Sequence, residues 1–206
     1  MIYKKVSKSS HRWLLEHFND KYVKEAQKNR LRSRSWFKLE EIDKKNKLFR
    51  SGMHVLDLGS SPGGWSQYAV SKIGKKGHVI AFDILPMKKI IGVDFFQIDF
   101  FNKKKLQLML NNFSNSNFNV IMSDMAPNMT GCSFIDMPRI IEICNIALKI
   151  SNCLLSRNGI LLLKSFQGEG FNDFFSQMKL FFSKIKIFKP KTSRARSREI
   201  FILATR

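Results

Sequence analysis

The stretch HVLDLGSSPGGWSQYAVSKI, at residues 54–73, decides the fold of this chain. It opens with a short apolar run, passes through a glycine-rich turn and continues into a segment that can form a helix. A second apolar run, HVIAFDI at 78–84, follows directly. Short apolar strands that alternate with helices are typical of a parallel sheet whose two faces are covered by helices.

The C-terminal half continues this alternation. FNVIMSD at 118–124 and GILLLKSF at 159–166 are predicted to be buried strands, with a helix at 138–155 between them. IKIFKP at 185–190 and EIFILAT at 199–205 predict two more strands, which a basic loop joins into an antiparallel hairpin. The sequence therefore predicts an α/β sheet that ends in a hairpin.

The N-terminal part of the chain has helical character. Residues 13–28 are predicted to be helical or partly helical. The segment WFKLEEIDKK at 36–45 predicts a short amphipathic helix, because Trp36, Leu39 and Ile42 have the spacing of a buried helix face. The chain thus opens with helices and continues into the sheet.

Length and composition limit the classes of protein that this chain can be. With 206 residues we expect one domain, 1–206, in which a basic helical extension at 1–50 precedes a core at 51–206. A hydrophobic content of 44%, with 19 Phe, excludes a disordered chain.

There is no membrane-spanning run and no apolar signal segment, so we expect a cytoplasmic protein. Three cysteines without a CxxC pair, and scattered histidines, predict free thiols and no metal site.

The net charge of +20 is concentrated at the two ends of the chain. Residues 1–50 carry +9 and residues 184–206 carry +7, which indicates a polyanionic partner such as a nucleic acid. A codon bias toward lysine is the alternative explanation. That bias accounts for KKK at 103–105 better than for the arginine-rich RLRSRS at 30–35 and SRARSR at 193–198.

Three glycines, Gly59, Gly63 and Gly64, occupy the turn between the first strand and its helix. Glycines at such a turn let the backbone approach a ligand closely, and the helix amides favour an anionic group nearby. A dinucleotide fingerprint would require glycine at position 61, where Ser61 stands, and this disfavours a nicotinamide enzyme.

Two carboxylates stand at the ends of apolar runs. Asp83 comes 19 residues after Gly64, at a position where a carboxylate can bind both hydroxyls of a ribose. Asp99, in FQIDF, can accept a hydrogen bond from an adenine amino group. Each acid alone could instead cap a helix. Together with the glycine turn, they indicate a cofactor that contains adenosine.

The motifs DLGSSPGGWSQ, SDMAPNMTG, LLLKSFQGEGF and SRARSREIF occur in this order behind SRSWFKLEEI. With these motifs the chain resembles the FtsJ/RrmJ-type family of bacterial 23S rRNA (uridine-2′-O-)methyltransferases over essentially its whole length. The resemblance implies a Rossmann-like α/β methyltransferase fold, with a mostly parallel seven-stranded sheet, an antiparallel last strand and helices on both faces. It also implies 2′-O-methylation of a uridine ribose in the A loop of 23S rRNA on the assembled 50S ribosomal subunit, with no obligate protein partner.

The resemblance further implies the residues of the site. The cofactor would be S-adenosyl-L-methionine, bound by Gly63, Trp65, Asp83, Asp99 and Asp124. The catalytic tetrad of two lysines, an aspartate and a glutamate would be Lys38, Asp124, Lys164 and Glu199. The cofactor loop departs from the broader methyltransferase pattern at Ser60 and Ser61, where small residues still allow a close backbone approach.

The expected chemistry gives each tetrad residue a task. A ribose 2′-hydroxyl is hardly ionised at neutral pH, so methyl transfer benefits from a positioned base. Lys164 ends an apolar strand and is the candidate base. Its neutral form would be favoured by desolvation and by a neighbouring cation, which we assign to Lys38. Asp124 would orient the amine and lie near the sulfonium, while Glu199 would hold a lysine or a ribose.

Arginines flank two of the tetrad residues in sequence, close to Lys38 and Glu199. They are the predicted RNA-binding residues Arg32, Arg34, Arg194, Arg196 and Arg198. If the tetrad converges, both basic ends of the chain converge around the site, where they would contact phosphates.

Two other functions remain open at this point. A 2′-O-methyltransferase of tRNA or of an mRNA cap would share the lysine and aspartate pattern, although no additional domain for cap binding is evident. A non-catalytic RNA-binding ribosome assembly factor could retain the fold alone. Such a factor would have no need of a lysine in an apolar strand.

Overall fold

Seven strands form one sheet in the computed structural model, which describes residues 20–194 and 196–206. The strands are β1 (His54–Leu58), β2 (His78–Asp83), β3 (Val93–Gln97), β4 (Phe118–Ser123), β5 (Leu155–Phe166), β6 (Lys184–Phe188) and β7 (Glu199–Thr205). Their order across the sheet is β3-β2-β1-β4-β5-β7-β6. All neighbours run parallel except β7, which is antiparallel to both β5 and β6. This arrangement confirms the predicted fold class and the C-terminal hairpin.

Helices pack on both faces of this sheet. α1 (Lys21–Lys28) precedes them in the chain, and the packed helices are α2 (Ser35–Asn46), α3 (Gly64–Ile73), α4 (Lys103–Asn112), α5 (Ser133–Leu154) and α6 (Phe171–Met178). One hydrophobic core contains residues of α2 and α3, and the other contains residues of α4, α5 and α6. None of the helices in the described parts of the chain is long and apolar enough to cross a membrane.

Several elements differ from their predicted bounds. The sequence reasoning missed β3, α4 and α6, and it started α5 and β5 several residues late. Only Val93 of β3 is buried, so this edge strand lacks a continuous apolar run. The start of the helix predicted at 13–28 lies outside the described residues, and α1 covers its last part.

The sheet topology brings several chain segments to one edge. The carboxyl ends of β1, β2, β4 and β5 meet there because these strands are parallel. β2 lies on one side of β1 in the sheet, and β4 lies on the other side. The connections from β1 and β4 therefore leave in opposite directions, and a crevice opens between them at this switch point of the topology. Since β7 runs the opposite way, its first residue, Glu199, pairs with Phe166 at the end of β5.

The segment before α2 packs closely on the glycine turn. A Cβ atom at Gly64 would lie 2.2 Å from Ser33 Oγ and 2.6 Å from Ser35 Oγ, so only glycine allows this approach. The indole N–H of Trp65 donates a 3.0 Å hydrogen bond to the Ser35 carbonyl. These contacts place α2, and with it Lys38, beside the edge of the sheet.

Candidate active site

A cleft of about 670 Å³ opens at the switch point of the sheet. It lies at the carboxyl ends of β1, β2 and β4 and has a mixed lining of apolar side chains and four carboxyl groups, the fourth being that of Glu142. Among its lining residues are Asp83, Leu85, Asp99, Phe100, Asp124 and Ile143. Its position and lining are those of a binding site for a small molecule with both apolar and polar parts.

Two of these four carboxyl groups, those of Asp83 and Asp99, are anchored by backbone amides. Asp83 Oδ2 accepts a 2.8 Å hydrogen bond from the Ser61 N–H, and its Oδ1 accepts one of 2.7 Å from the Leu85 N–H. Asp99 Oδ1 accepts a 2.9 Å hydrogen bond from the Phe101 N–H. A carboxylate has about four acceptor sites, so both residues keep the capacity to bind hydroxyl or amino groups of a ligand.

Gly63 and Trp65 do not line this cleft. Gly63 has φ +108°, and a Cβ atom there would lie 2.6 Å from Ile90 Cδ1, so glycine is required by conformation and by packing. Trp65 is buried, and its ring centroid lies 5.8 Å from that of Phe201. The structure places both residues in the packing between α3 and its neighbours.

A buried carboxyl that the sequence reasoning missed lies behind the cleft. Asp57 Oδ2 accepts a 2.6 Å hydrogen bond from the Ser66 hydroxyl, whereas Oδ1 has no hydrogen-bond partner among the described residues. Burial raises the pKa of Asp57 to about 7, and the charges of Asp124 and Asp83 act in the same direction. An acid inside the apolar run HVLDL was the available signal.

Lys164 and Asp124 form one ion pair at the edge of the sheet. Lys164 Nζ lies 2.8 Å from Asp124 Oδ1 and 2.8 Å from the Asp124 main-chain oxygen. Both side chains are largely buried, with 10% and 20% of their surface exposed. Asp124 also lines the cleft, so this pair borders the ligand site directly.

Lys38 and Glu199 form the second ion pair. Lys38 Nζ lies 2.6 Å from Glu199 Oε1, and only 13% and 10% of the two side chains is exposed. Burial alone would raise the pKa of Glu199, but the ammonium groups of Lys38 and Lys164 hold it below its ordinary value. Glu199 is therefore ionised at neutral pH, and it compensates the charge of Lys38.

The two ion pairs are neighbours because β5 and β7 are paired. Lys164 is in register with Phe201, two residues after Glu199. Lys38 Nζ lies 5.7 Å from the centre of the Phe201 ring. The structure thus brings the four predicted tetrad residues together, with two ammonium groups and two carboxylates beside the cleft. The cation assigned to Lys38 is paired with Glu199, so its charge is compensated, which the expectation for Lys164 did not include.

The predicted RNA-binding arginines have different environments. Arg34 is partly buried, and its guanidinium donates to the Asp20 carboxylate and to the Thr192 carbonyl. Burial, followed by the charge of Arg194, lowers its pKa from the ordinary value. Arg34 therefore has a structural task in this arrangement, and its predicted contact with phosphate stays a prediction.

The other four arginines lie nearer the surface. Arg32 Nη2 donates a 2.7 Å hydrogen bond to the Lys89 carbonyl. Arg194 is half-buried, with Nε 4.0 Å from Asp20 Oδ2. Arg196 and Arg198 are exposed next to the start of β7. Within the described ranges, no group of three His, Cys, Asp or Glu side chains could hold a metal ion.

The two lysine–carboxylate pairs beside the cleft can support a reaction that involves proton transfer. The lysine amine at the border of the cleft can exchange a proton with a nucleophile, while the second lysine can hold an anionic or hydroxyl group. The carboxylates orient both lysines. The cleft can hold a second reactant in contact with the same edge.

Comparisons with known proteins agree with this description. A family model described as FtsJ-like methyltransferase matches residues 31–206. The chain is 74% identical to ribosomal RNA large subunit methyltransferase E of Buchnera aphidicola subsp. Schizaphis graminum (strain Sg) and 66% identical to that of subsp. Acyrthosiphon pisum (strain APS). Both matches span 206 residues and 100% of each chain.

A solved structure shares the fold. It is a crystal structure from Plasmodium falciparum, described as a ribosomal RNA methyltransferase. The TM-score is 0.73 at 23% sequence identity, and the match covers 84% of this chain and 97% of the other.

Proposed function

We propose that this chain, which belongs to the FtsJ-like methyltransferase family, methylates the 2′-oxygen of a uridine ribose in the A loop of 23S rRNA. The observation that carries the proposal is the convergence of two Lys–carboxylate pairs beside the cleft. The names and the full-length identity of the two Buchnera relatives support large-subunit rRNA as the substrate. We place the reaction on the assembled 50S subunit.

The cleft fits S-adenosyl-L-methionine as the methyl donor. Leu85, Phe100 and Ile143 provide apolar walls for an adenine ring, and Asp99 can accept a hydrogen bond from its amino group. Asp83 has free acceptor sites for the ribose hydroxyls. When bound, the cofactor supplies an electrophilic methyl group on a sulfonium.

Lys164 is the residue that receives the proton in this mechanism. Once its ammonium group has lost a proton to solvent, Lys164 has two N–H groups and one lone pair, and Oδ1 and the main-chain oxygen of Asp124 accept both N–H groups. The lone pair is then directed away from Asp124 and can take the proton of the 2′-hydroxyl. A methyl donor held by Asp83 and Asp99 would supply the methyl group that this oxygen gains, and Lys164 then releases the proton to solvent.

Lys38 and Glu199 hold the nucleophile. Lys38 uses one N–H group on Glu199, and its other two can donate to an oxygen of the target ribose or its phosphate. Because Glu199 is ionised, it fixes the direction of the Lys38 ammonium without adding net charge. The pair therefore orients the 2′-oxygen toward Lys164 and the cleft.

The basic ends of the chain provide the attachment to RNA. Arg196 and Arg198 are exposed directly before Glu199, and Arg32 lies close to the glycine turn. Contacts from such residues to phosphates position a nucleic acid without reading its sequence. This surface supports a large RNA substrate beside the tetrad.

A labelling assay tests the proposed function. The protein is incubated with S-adenosyl-L-methionine that carries a tritiated methyl group, and with undermethylated 50S subunits, free 23S rRNA or tRNA. We expect label in the 50S subunits, mapped to the 2′-oxygen of one A-loop uridine. Label in tRNA with none in the subunits would contradict the substrate, and label on a base would contradict the reaction.

A further inference from the structure

One face of α2 carries three charged residues that point to the loop between β6 and β7. Arg34 immediately precedes the helix, Lys38 follows four residues later, and Glu41 follows three residues after that. Residues at this spacing share one helix face. The side chains of all three contact the C-terminal part of the chain, at Thr192 or Glu199.

Thr192 is enclosed by this helix face. Its carbonyl accepts a hydrogen bond from Arg34 Nη2. Its N–H and hydroxyl both donate to Glu41 Oε2, at 3.2 Å and 3.4 Å. All three polar groups of this buried threonine are thus bound by residues of one helix face. Thr192 and Glu41 are 151 residues apart in the chain, so tertiary contacts such as these align the two segments.

Glu41 is charged in this arrangement. Burial raises the pKa of its carboxyl, but hydrogen bonds from the backbone at Lys191 and Thr192 and from Lys45 hold the pKa below its ordinary value. The carboxylate therefore acts as a permanent acceptor for Thr192 at neutral pH. Charge-assisted hydrogen bonds of this kind are stronger than neutral ones and define a position more narrowly.

Along the helix, Lys38 of the Lys38–Glu199 ion pair lies between Arg34 and Glu41, the two residues that bind Thr192. Glu199 begins β7 only a few residues after Thr192, and its N–H donates to Ser197 Oγ at 3.2 Å. The loop from Thr192 to Glu199 is therefore short and held at both ends. A shift of Thr192 along α2 would move Glu199 relative to Lys38.

We propose that Thr192, held between Arg34 and Glu41, is a positioning residue that aligns the Lys38–Glu199 pair for methyl transfer. The proposal rests on the proposed function, because it assigns Lys38 to the target nucleotide. Neither Thr192 nor Glu41 lines the cleft, and the hydrogen bonds of Thr192 go to Arg34 and Glu41. They act through the placement of the loop, and a displacement of about 1 Å at a reacting group can lower a rate ~100-fold.

The test compares Glu41→Ala with Glu40→Ala. The two glutamates are neighbours and each forms a salt bridge with the lysine four residues later, but only Glu41 contacts Thr192. We expect Glu41→Ala to lower kcat on undermethylated 50S subunits about 10-fold or more, with unchanged binding of S-adenosylhomocysteine. Glu40→Ala should leave kcat at the wild-type value. Equal kcat in the two variants would overturn the proposal.

Substitutions of Thr192 separate positioning from folding. Thr192→Val keeps the shape of the side chain and removes its hydroxyl donor, so its kcat should lie below that of the wild type. Thr192→Ser keeps the hydroxyl, so its kcat should lie close to the wild-type value. Hydrogen exchange of residues 190–199 provides the second measurement. Faster exchange in Glu41→Ala but not in Glu40→Ala supports the proposal, and equal exchange overturns it. A wild-type protein that labels no RNA would instead contradict the proposed function, which distinguishes the two failures.

Discussion

Lys164 Nζ lies 2.8 Å from both the carboxylate and the main-chain oxygen of Asp124, at the point where β4 and β5 end side by side. The two acceptors belong to one residue, so they hold the amine in one orientation. With two positions of the nitrogen directed at these acceptors, its third position is available to a substrate. The activity of the site should therefore depend on this amine more than on any other lysine.

Substitution of the amine tests this dependence. Lys164→Ala should lower turnover by ~100-fold or more, because a positioned base contributes a factor of this size. Binding of S-adenosylhomocysteine should persist in the variant. Lys149→Ala, on the exposed face of α5, is the control and should have wild-type turnover. Normal turnover of Lys164→Ala would remove Lys164 as the base.

The buried pair of Lys38 and Glu199 should behave as a coupled unit. Loss of either partner leaves the other charge poorly solvated, so each single alanine variant should unfold at lower temperature than the wild type. The double variant should lose less stability than the sum of the two, with a coupling of about 1–3 kcal/mol. Thermal unfolding of the four proteins measures this coupling, and additive losses would show that the pair is not coupled.

The cleft carboxylates should determine affinity for the cofactor. Asp83→Asn should weaken binding of S-adenosylhomocysteine by about 10-fold or more, because charge-assisted hydrogen bonds to the ribose hydroxyls become neutral ones. Asp99→Asn should weaken it less. Titration calorimetry measures both affinities. Asp94→Asn, at an exposed position on β3, is the control, and an equal loss there would contradict a site in this cleft.

The basic loop before β7 should contribute to RNA affinity and to its salt dependence. Replacement of Arg194 and Arg196 by glutamate should weaken binding to 50S subunits and flatten the plot of affinity against salt, since fewer counterions are released. Lys104 and Lys105 on α4, replaced in the same way, give the matched change in net charge. Equal effects of the two double variants would mean that net charge alone acts, without a local interface.

Asp57 should make stability depend on pH. Its pKa is raised from 3.8 to about 7 in the folded protein, so the folded state binds a proton that the unfolded state releases. Stability from this residue is complete below about pH 4 and is lost as the pH rises toward about 7. Asp57→Asn keeps an acceptor for Ser66 and should flatten this part of the profile. Thermal unfolding across this range measures the difference, and identical profiles would contradict the raised pKa.

Local patterns predicted most of the sheet and its order of elements. The strands at 54–59, 78–84 and 199–205 were found because each is a compact apolar run, which corresponds to its place between two other strands of the sheet. The edge strand β3 and the short helix α6 were missed because only part of each is buried. The predicted fold class, family resemblance and methyltransferase activity are confirmed.

The roles of individual residues were harder to predict from the sequence than the helices and strands. Trp65 matched a cofactor position by motif, yet the structure buries it against Phe201, outside the cleft. Arg34 belonged to an arginine-rich run that suggested phosphate contacts, yet its guanidinium binds Asp20 and the Thr192 carbonyl. A run of arginines in the sequence shows which charged residues are close in the chain. It does not show which of their side chains become buried when the protein folds.

The sequence by itself determined the alternating strands and helices, the glycine turn and the candidate chemical groups of the site. These features depend on each residue and its near neighbours, through hydrophobic spacing and backbone conformation. Only the tertiary structure decided that Glu199 pairs with Lys38, which two atoms of Asp124 hold Lys164, and that α2 encloses Thr192. Such contacts join segments far apart in the chain, and they form only where the packing of the sheet and helices brings the charges together and excludes water from around them.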